Sequence, residues 1–183
     1  MVTDLEICAR AAGKDRAAFE TLMTATKSGL FRFVRRYTGD NEDALDLVQE
    51  TYTSAWLAIH RYDPARPFDV WLRAIALNKC RDWGRRRTVR RWMRHSVGLD
   101  APEAAHITDD APDAETLVDD RRRLERLNMA LRDLPDTLKA PLLLTTVDGR
   151  SQQEAAHILG ITTKAVETRI ARARQKLAIA VSF

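Results

Sequence analysis

Ser151-Gln152-Gln153-Glu154-Ala155-Ala156-His157-Ile158-Leu159-Gly160-Ile161-Thr162-Thr163-Lys164-Ala165-Val166-Glu167-Thr168-Arg169-Ile170-Ala171-Arg172-Ala173-Arg174 is the stretch on which the fold turns. A serine followed three residues on by a glutamate is a capping box: the Ser151 hydroxyl accepts from the Glu154 backbone N–H, and the Glu154 carboxylate reaches back. Ala155, Ala156, Ile158 and Leu159 give the short helix an apolar face. Gly160-Ile161-Thr162 then makes a tight turn, and Thr162 caps a second helix. At about 100° per residue, Val166, Ile170, Ala173 and Leu177 fall in one sector of that helix, and Lys164, Thr168, Ala171, Arg172 and Gln175 in the opposite one. One face is core; the other is free to read DNA. The pattern is a helix-turn-helix, whose second helix enters the major groove. A generic helical hairpin requires cap, turn glycine and facial split to coincide by accident.

Working outward, Leu124, Leu127, Leu131 and Leu134 form one face of a helix that Pro135 closes. A further helix spans Asp136 to Val147, with Pro141 inside it predicting a kink or a late start, and Gly149 ends it. Near the N-terminus, Phe19, Leu22, Met23, Thr26, Leu30, Phe33, Val34 and Tyr37 recur at helical steps, so Asp15 to Arg36 reads as an amphipathic helix. Gly39-Asp40-Asn41 ends it and caps the next. Ala44, Leu47, Val48, Thr51, Tyr52, Ala55, Trp56 and Ile59 are the apolar face of a second helix, and Asp43, Asp46, Glu50 and Thr53 lie opposite. The segment Tyr62-Asp63-Pro64-Ala65-Arg66-Pro67 breaks the period as a loop. Asp69 caps a third helix, with Trp71, Leu72, Ile75, Ala76 and Trp83 on its apolar side and Arg73, Lys79 and Arg81 facing outward. No strand-like alternation occurs. The expected fold class is all-α: two small helical domains on a flexible acidic linker, the second a helix-turn-helix.

The 183 residues are 45% hydrophobic and 31% charged, without an apolar run long enough to cross a membrane. The net charge of +4 is unevenly laid out: 18 basic against 12 acidic residues in 1–95, none against 8 in 96–120, and 12 against 6 in 121–183. The middle block, with Pro102, Pro112 and Gly98, reads as an acidic linker. The basic run Arg85-Arg86-Arg87, Arg90-Arg91 and Arg94 is interleaved with Trp83 and Trp92, which favours a polyanion partner over a merely solvated face. Cys8 and Cys80 read as small buried hydrophobes. His60, His95, His106 and His157 have no ligand spacing among themselves, and neither a Walker loop nor His-Glu-x-x-His is present, so no metal, cofactor or catalytic centre is assigned. The acidic N-terminus does not suit a signal peptide, which places the chain in the cytoplasm without membrane insertion of its own.

Three ordered blocks resemble the extracytoplasmic function sigma factors of bacterial RNA polymerase. Asp43-Ala44-Leu45-Asp46-Leu47-Val48-Gln49-Glu50-Thr51 resembles the family's Asp-x-x-Asp-Leu-x-Gln-Glu segment. Phe68-Asp69-Val70-Trp71-Leu72-Arg73-Ala74-Ile75-Ala76-Leu77-Asn78, with Asp82 and Arg85-Arg86, resembles its Phe-x-x-Trp-Leu-x-x-Ile-Ala-x-Asn segment. Leu134-Pro135, Gly149-Arg150-Ser151, Glu154-Ala155-Ala156, Leu159-Gly160-Ile161 and Arg169 to Arg174 resemble its C-terminal half.

The resemblance implies a first domain, 1–95, that binds core RNA polymerase and melts the promoter −10 element, an acidic linker, 96–120, and a second domain, 121–183, that reads the −35 element. The partners implied are core polymerase, promoter DNA and an anti-sigma factor. Asp43, Asp46, Gln49 and Glu50 are the candidate polymerase contacts, since acids and an amide suit a basic surface; an ordinary solvated face is the competing reading. Arg61, Tyr62, Asp63, Arg66, Asn78, Lys79, Arg81, Trp83, Arg85 and Arg86 are the candidate −10 contacts, because unpaired bases take aromatic or amide partners and the backbone takes cations. Asn78 and Trp83 as packing residues stay open. Ser151, Thr163, Lys164, Glu167, Thr168, Arg169, Arg172 and Arg174 are the candidate −35 contacts. The linker acids are expected to thread a basic channel on the polymerase. Two departures stand out: Glu167 replaces a family cation on the recognition helix, and Lys139 stands where Arg is usual, losing bidentate geometry. The binding-module alternative is a stand-alone helix-turn-helix regulator, which leaves the acidic face and linker unexplained.

Overall fold

Asp15 and Asp40 set the register of the N-terminal half. In the computed structural model, which describes residues 4–96 and 114–181, Asp15 accepts from Ala18 N at 3.1 Å and caps α2 (Arg16–Thr38). That hydrogen bond, with the Arg10 guanidinium at 2.6 Å, holds its carboxyl below the usual range. Gly39 ends α2 at φ +72°, a left-handed conformation that favours glycine. A Cβ there would also displace the Arg132 guanidinium, which donates to the Gly39 carbonyl, so a side chain would be strained by the backbone and would cost that contact as well. Asp40 accepts from Glu42 and Asp43 N–H groups to start α3 (Asn41–Ala58). A 3-10 turn, Ile59–Arg61, and a loop lead to α4 (Phe68–Ser96). A short helix, α1 (Asp4–Ala12), precedes the elements expected from periodicity and packs Cys8 and Ala11 against α2.

The C-terminal half is α5 (Ala114–Asp133), α6 (Asp136–Thr146), α7 (Gln152–Leu159) and α8 (Thr163–Val181). The capping box is present in both directions, and its hydrogen bonds lower the Glu154 pKa. Gly160 caps α7 at φ +64°, and Thr162 Oγ1 accepts from Ala165 N at 3.2 Å to start α8. All described elements are helical, as the periodicity predicts.

Several expectations are corrected. The late start at Pro141 does not occur: the Pro135 carbonyl closes the first turn by accepting from Leu138 and Lys139 N–H groups, and the fully buried Pro141 ring is held by packing. Asp69 is not the cap of α4, which begins at Phe68; its carboxylate accepts from Val70 N and from Arg150 instead. Leu124 and Leu127 lie on the solvent side of α5, and only Leu131 and Leu134 of that stripe reach the core. Arg73 does not face outward; it is 3% exposed. It shares a stripe with Ala76, Leu77 and Cys80, and its charge is met by Asp148 of the other half. Cys8 and Cys80 are buried and free, and apolar surroundings push the Cys80 thiol up to about 12. The linker acids Asp100, Glu103, Asp109, Asp110 and Asp113 lie outside the described residues.

The halves also touch, where the sequence suggests two separate bodies. α2 packs on α6, and α4 on α7. Leu30, Phe33, Ile59, Leu72 and Leu77 centre the N-terminal core, and Leu143, Leu144 and Val166 the C-terminal one.

Candidate nucleic-acid interface

The HTH face is built by the caps. Val166, Ile170 and Ala173 are buried and Leu177 is partly so, which turns Thr163, Lys164, Glu167, Thr168, Arg172 and Arg174 outward and leaves Arg169 half-buried. Ser151 stays at the exposed start of α7. Lys164 Nζ and Glu167 Oε2 pair at 2.8 Å, one turn apart, with side chains 80% and 55% exposed. Thr168 Oγ1 donates to the Lys164 carbonyl. The anion on this face is therefore neutralised within the helix by a lysine that solvent surrounds.

On α3, the burial of Ala44, Leu47, Val48, Thr51, Tyr52 and Ala55 drives Asp46, Gln49 and Glu50 into solvent, with Asp43 half-buried. Asp46, Gln49, Glu50, Thr53, Ser54 and Lys79 line one open groove, and Lys79 pairs with Glu50 at 3.5 Å. The acidic face and the candidate −10 set thus meet at Lys79.

The loop after the 3-10 turn is braced from within. Asp63 accepts from Ala65 N at 3.0 Å, its carbonyl accepts from Arg66 N, and its carboxylate faces Arg66 at 3.5 Å. Tyr62 is buried against Phe68 and Trp71, and its hydroxyl donates to the Arg66 carbonyl at 2.6 Å. Burial pushes the Tyr62 phenol up. Tyr62 is accordingly the post that shapes the loop, and Arg61, Asp63 and Arg66 are what the loop shows to solvent.

Along α4, Asn78, Arg85 and Arg86 are exposed. Arg85 pairs with Asp82. Trp83 is only 8% exposed, its ring covered by the Arg87 guanidinium at 5.3 Å, so in this arrangement it offers no open face for stacking a base. Arg81 is half-buried and donates to Asp136 at 2.8 Å. Burial lowers the Arg81 pKa, and repulsion from Arg169 and Arg85 adds to it. Candidate −10 and −35 cations are in this way brought within reach of one another.

Sequence reasoning missed the charged cluster between the halves. Arg73 Nε and Nη2 donate to the two Asp148 carboxylate oxygens at 2.5 Å each, and the Arg73 guanidinium stands over the Phe33 ring at 5.6 Å. Arg150 bridges Asp69 and Asp148 and reaches Glu154 at 3.4 Å. Asp136 accepts from Tyr37 as well as Arg81. Lys139, which is buried, donates to the Arg132 carbonyl at 2.7 Å and lies over the Tyr37 ring at 5.1 Å. Desolvation pulls its amine down to about 8, against the attraction of Asp136, whose own pKa burial raises. The available signal was Arg73 itself, a cation placed three and four residues before Ala76 and Leu77 on a core stripe.

Among the described residues no helix is long and apolar enough to cross a membrane, and no cluster of His, Cys, Asp and Glu could hold a metal. The family model described as Sigma-70 region 2 matches residues 22–95, and that described as Sigma-70, region 4, matches residues 124–177. The chain is 38% identical over 175 residues to the RNA polymerase sigma factor CnrH of Cupriavidus metallidurans, covering 95% of this chain and 92% of that protein. It is 37% identical to the RNA polymerase sigma factor NccH of Alcaligenes xylosoxydans xylosoxydans, covering 95% and 92%. The solved structure of CnrH in complex with the cytosolic domain of CnrY is similar with a TM-score of 0.70 at 32% identity, over 98% of this chain and 97% of that one. RpoE bound to the anti-sigma factor NepR, from Bartonella quintana, shares the fold with a TM-score of 0.68 at 22% identity, over 90% and 96%.

Proposed function

The chain belongs to the sigma-70 family, in its extracytoplasmic function group, and from that premise we propose how its own residues divide the work of a promoter-directing initiation factor. The relatives are initiation factors rather than enzymes, and this chain acts by lending core RNA polymerase, in the cytoplasm, a specificity that the core lacks. Residues 1–95 are the unit that binds core and the −10 element, 121–183 the unit that reads the −35 element, and 96–120 an acidic connector.

The observation that carries this reading is the clean facial split of α8, whose buried stripe leaves a polar face with Lys164, Glu167, Thr168 and Arg172 presented together on a doubly capped helix-turn-helix. Arg169 and Arg174 contribute cations suited to phosphate. Asp46, Gln49 and Glu50 dock on a basic surface of the polymerase, and Arg61, Arg66, Asn78 and Lys79 hold single-stranded −10 DNA. CnrH has been solved with the cytosolic domain of CnrY; by that likeness, a second protein of the anti-sigma class restrains this chain, and recovery of no stoichiometric inhibitor from unstressed cells counts against that part. The deciding experiment is transcription in vitro: promoter-dependent transcripts are expected only when the purified chain and core polymerase are combined. Transcripts without the chain, or none with both on a genomic promoter library, refute the reading.

A further inference from the structure

The helix α1 has no part in the reading above, and the region 2 match begins after it, at residue 22. It is nevertheless firmly mounted. Its last turn runs straight into the corner that starts α2: Gly13 N donates to the Ala9 carbonyl at 3.1 Å, Lys14 N to Ala11 at 2.9 Å and Asp15 N to Arg10 at 3.0 Å. Lys14 takes the corner at φ +64°, a left-handed conformation that residues with side chains seldom adopt. Arg10 donates to the Asp15 carboxylate through Nε and Nη2, so the acid that caps α2 also clips α1 to it. From this mount Ile7, Cys8 and Ala11 reach the core, and α1 packs on the 3-10 turn as well as on α2.

That turn leads directly into Tyr62. Its ring meets Phe68 edge-on with centroids 5.4 Å apart and Trp71 at 5.1 Å, which fixes the ring plane. Its hydroxyl gives its one proton to the Arg66 carbonyl at 2.6 Å. The Cys8 thiol adjoins the same hydroxyl and, after burial, is the next cause of the raised Tyr62 pKa. With the phenol proton committed, the thiol is left as donor. Arg66 thus has both backbone groups taken, its N–H by the Asp63 carbonyl and its own carbonyl by Tyr62. Asp63 and Arg66 each precede a proline, which restricts their backbones further. Their side chains are 56% and 61% exposed, on a backbone with little freedom left.

We propose that Tyr62 is a positioning residue for the 62–67 loop and that α1 is the support that holds Tyr62, so that Asp63 and Arg66 meet the unpaired −10 strand already aimed. The contact with the strand rests on the promoter reading above; the positioning does not. Single-stranded DNA is a flexible ligand, and a loop that had to order itself during binding would lose affinity to its own ordering. On a free backbone, Arg66 would hold any strand equally by charge. Held in one direction, the same side chain can favour one base over another.

The test has two arms. In the full chain without polymerase, amide hydrogen exchange reads the loop. Tyr62→Phe keeps the ring packing, removes the bond to the Arg66 carbonyl, and should lower protection of the Ala65 and Arg66 amides about fivefold, the worth of one ordinary hydrogen bond. Cys8→Ala should lower it about twofold, and Cys8→Ser should restore it, because the serine hydroxyl donates where the thiol did. In the holoenzyme, selection from a single-stranded DNA library with a randomised centre should give a broader base profile for Tyr62→Phe than for wild type, with core affinity kept. General destabilisation does not broaden a profile at constant core affinity. Unchanged Arg66 protection in Tyr62→Phe overturns the positioning. Equal protection in Cys8→Ala and wild type, or in Cys8→Ser and Cys8→Ala, overturns the part given to α1. Lost protection with an identical base profile overturns the link to recognition. Should Tyr62→Phe lose helicity, Cys8→Ala with its serine rescue carries the loop expectation. A wild-type holoenzyme that selects no sequence refutes the promoter reading and leaves the exchange result standing.

Discussion

Arg73 with Asp148 and Lys164 with Glu167 are the same chemistry in two dielectric settings. The first pair is bidentate, with side chains 4% and 6% exposed, at a junction between halves; the second sits on a helix surface almost fully in water. Water screens the exposed pair, which is worth less than about 1 kcal/mol, so its partners are free to trade each other for a base edge or a phosphate. The buried pair has no such freedom, because either partner alone would be a charge without solvent. The difference separates a surface kept available for ligand from a joint that sets the relation of two bodies.

The comparison breaks most directly at the joint. Arg73→Ala leaves the Asp148 carboxylate facing Arg150 with two of its three hydrogen bonds gone, and is expected to lower unfolding free energy by about 3–5 kcal/mol, measured by denaturant titration. A loss below about 1 kcal/mol would mean that the joint behaves like the surface. Next in size, Asp46→Arg or Glu50→Arg places a cation against the proposed basic surface and should weaken core polymerase binding by several kcal/mol while the helical circular dichroism is kept. Unchanged core affinity removes this face from the interface.

Lys139 sharpens the contrast through pH. Its amine titrates near 8 when folded against an ordinary 10.5, so the unfolded chain binds more protons than the folded one between those values. The Lys139 contribution to stability therefore increases as pH rises from about 8 to 10.5 and is lost as pH falls through 8, a span of about 3 kcal/mol at the most. The wild type minus Lys139→Met difference in unfolding free energy should follow that rise; a flat difference assigns the amine an ordinary pKa.

The two smallest effects belong to the exposed helix. Glu167→Ala should leave stability within about 1 kcal/mol and relax base preference at one −35 position by about 1–3 kcal/mol, cytosine N4 being the donor that suits a carboxylate. A binding profile over all single-base variants of the −35 element decides it, and identical profiles end direct readout by Glu167. Arg174→Ala should weaken all sequences alike and reduce the salt slope of binding by about 1; a sequence-dependent loss would place Arg174 on a base instead.

The helices from α2 onward, the caps at Asp40, Ser151 with Glu154, Gly160 and Thr162, and the facial split of α8 were legible in the chain because each depends on residues three or four apart, whereas α1 and the true start of α4 were not. Asp15, Asp40, Ser151 with Glu154, and Gly160 act on backbone groups one turn away, and a period of 3.6 needs no knowledge of the partner surface. Exposed site residues followed in turn, since a face opposite a core stripe is solvated whatever covers the core. What the chain did not disclose depends on residues 75, 81 and 93 positions apart: Arg73 with Asp148, Asp69 with Arg150, Gly39 with Arg132. Arg73 shows why. By type it belongs outside and by spacing inside, and only an acid arriving from the other half makes the inside position tolerable. Trp83 lies on an apolar stripe by spacing, yet it and Tyr62 also stand among the candidate −10 contacts until packing covers them. Local geometry determined the elements and the recognition face; the joint between the halves, and with it which cations stay open to DNA, was decided by long-range burial, because the cost of desolvating a charge depends on a neighbour that local spacing cannot name.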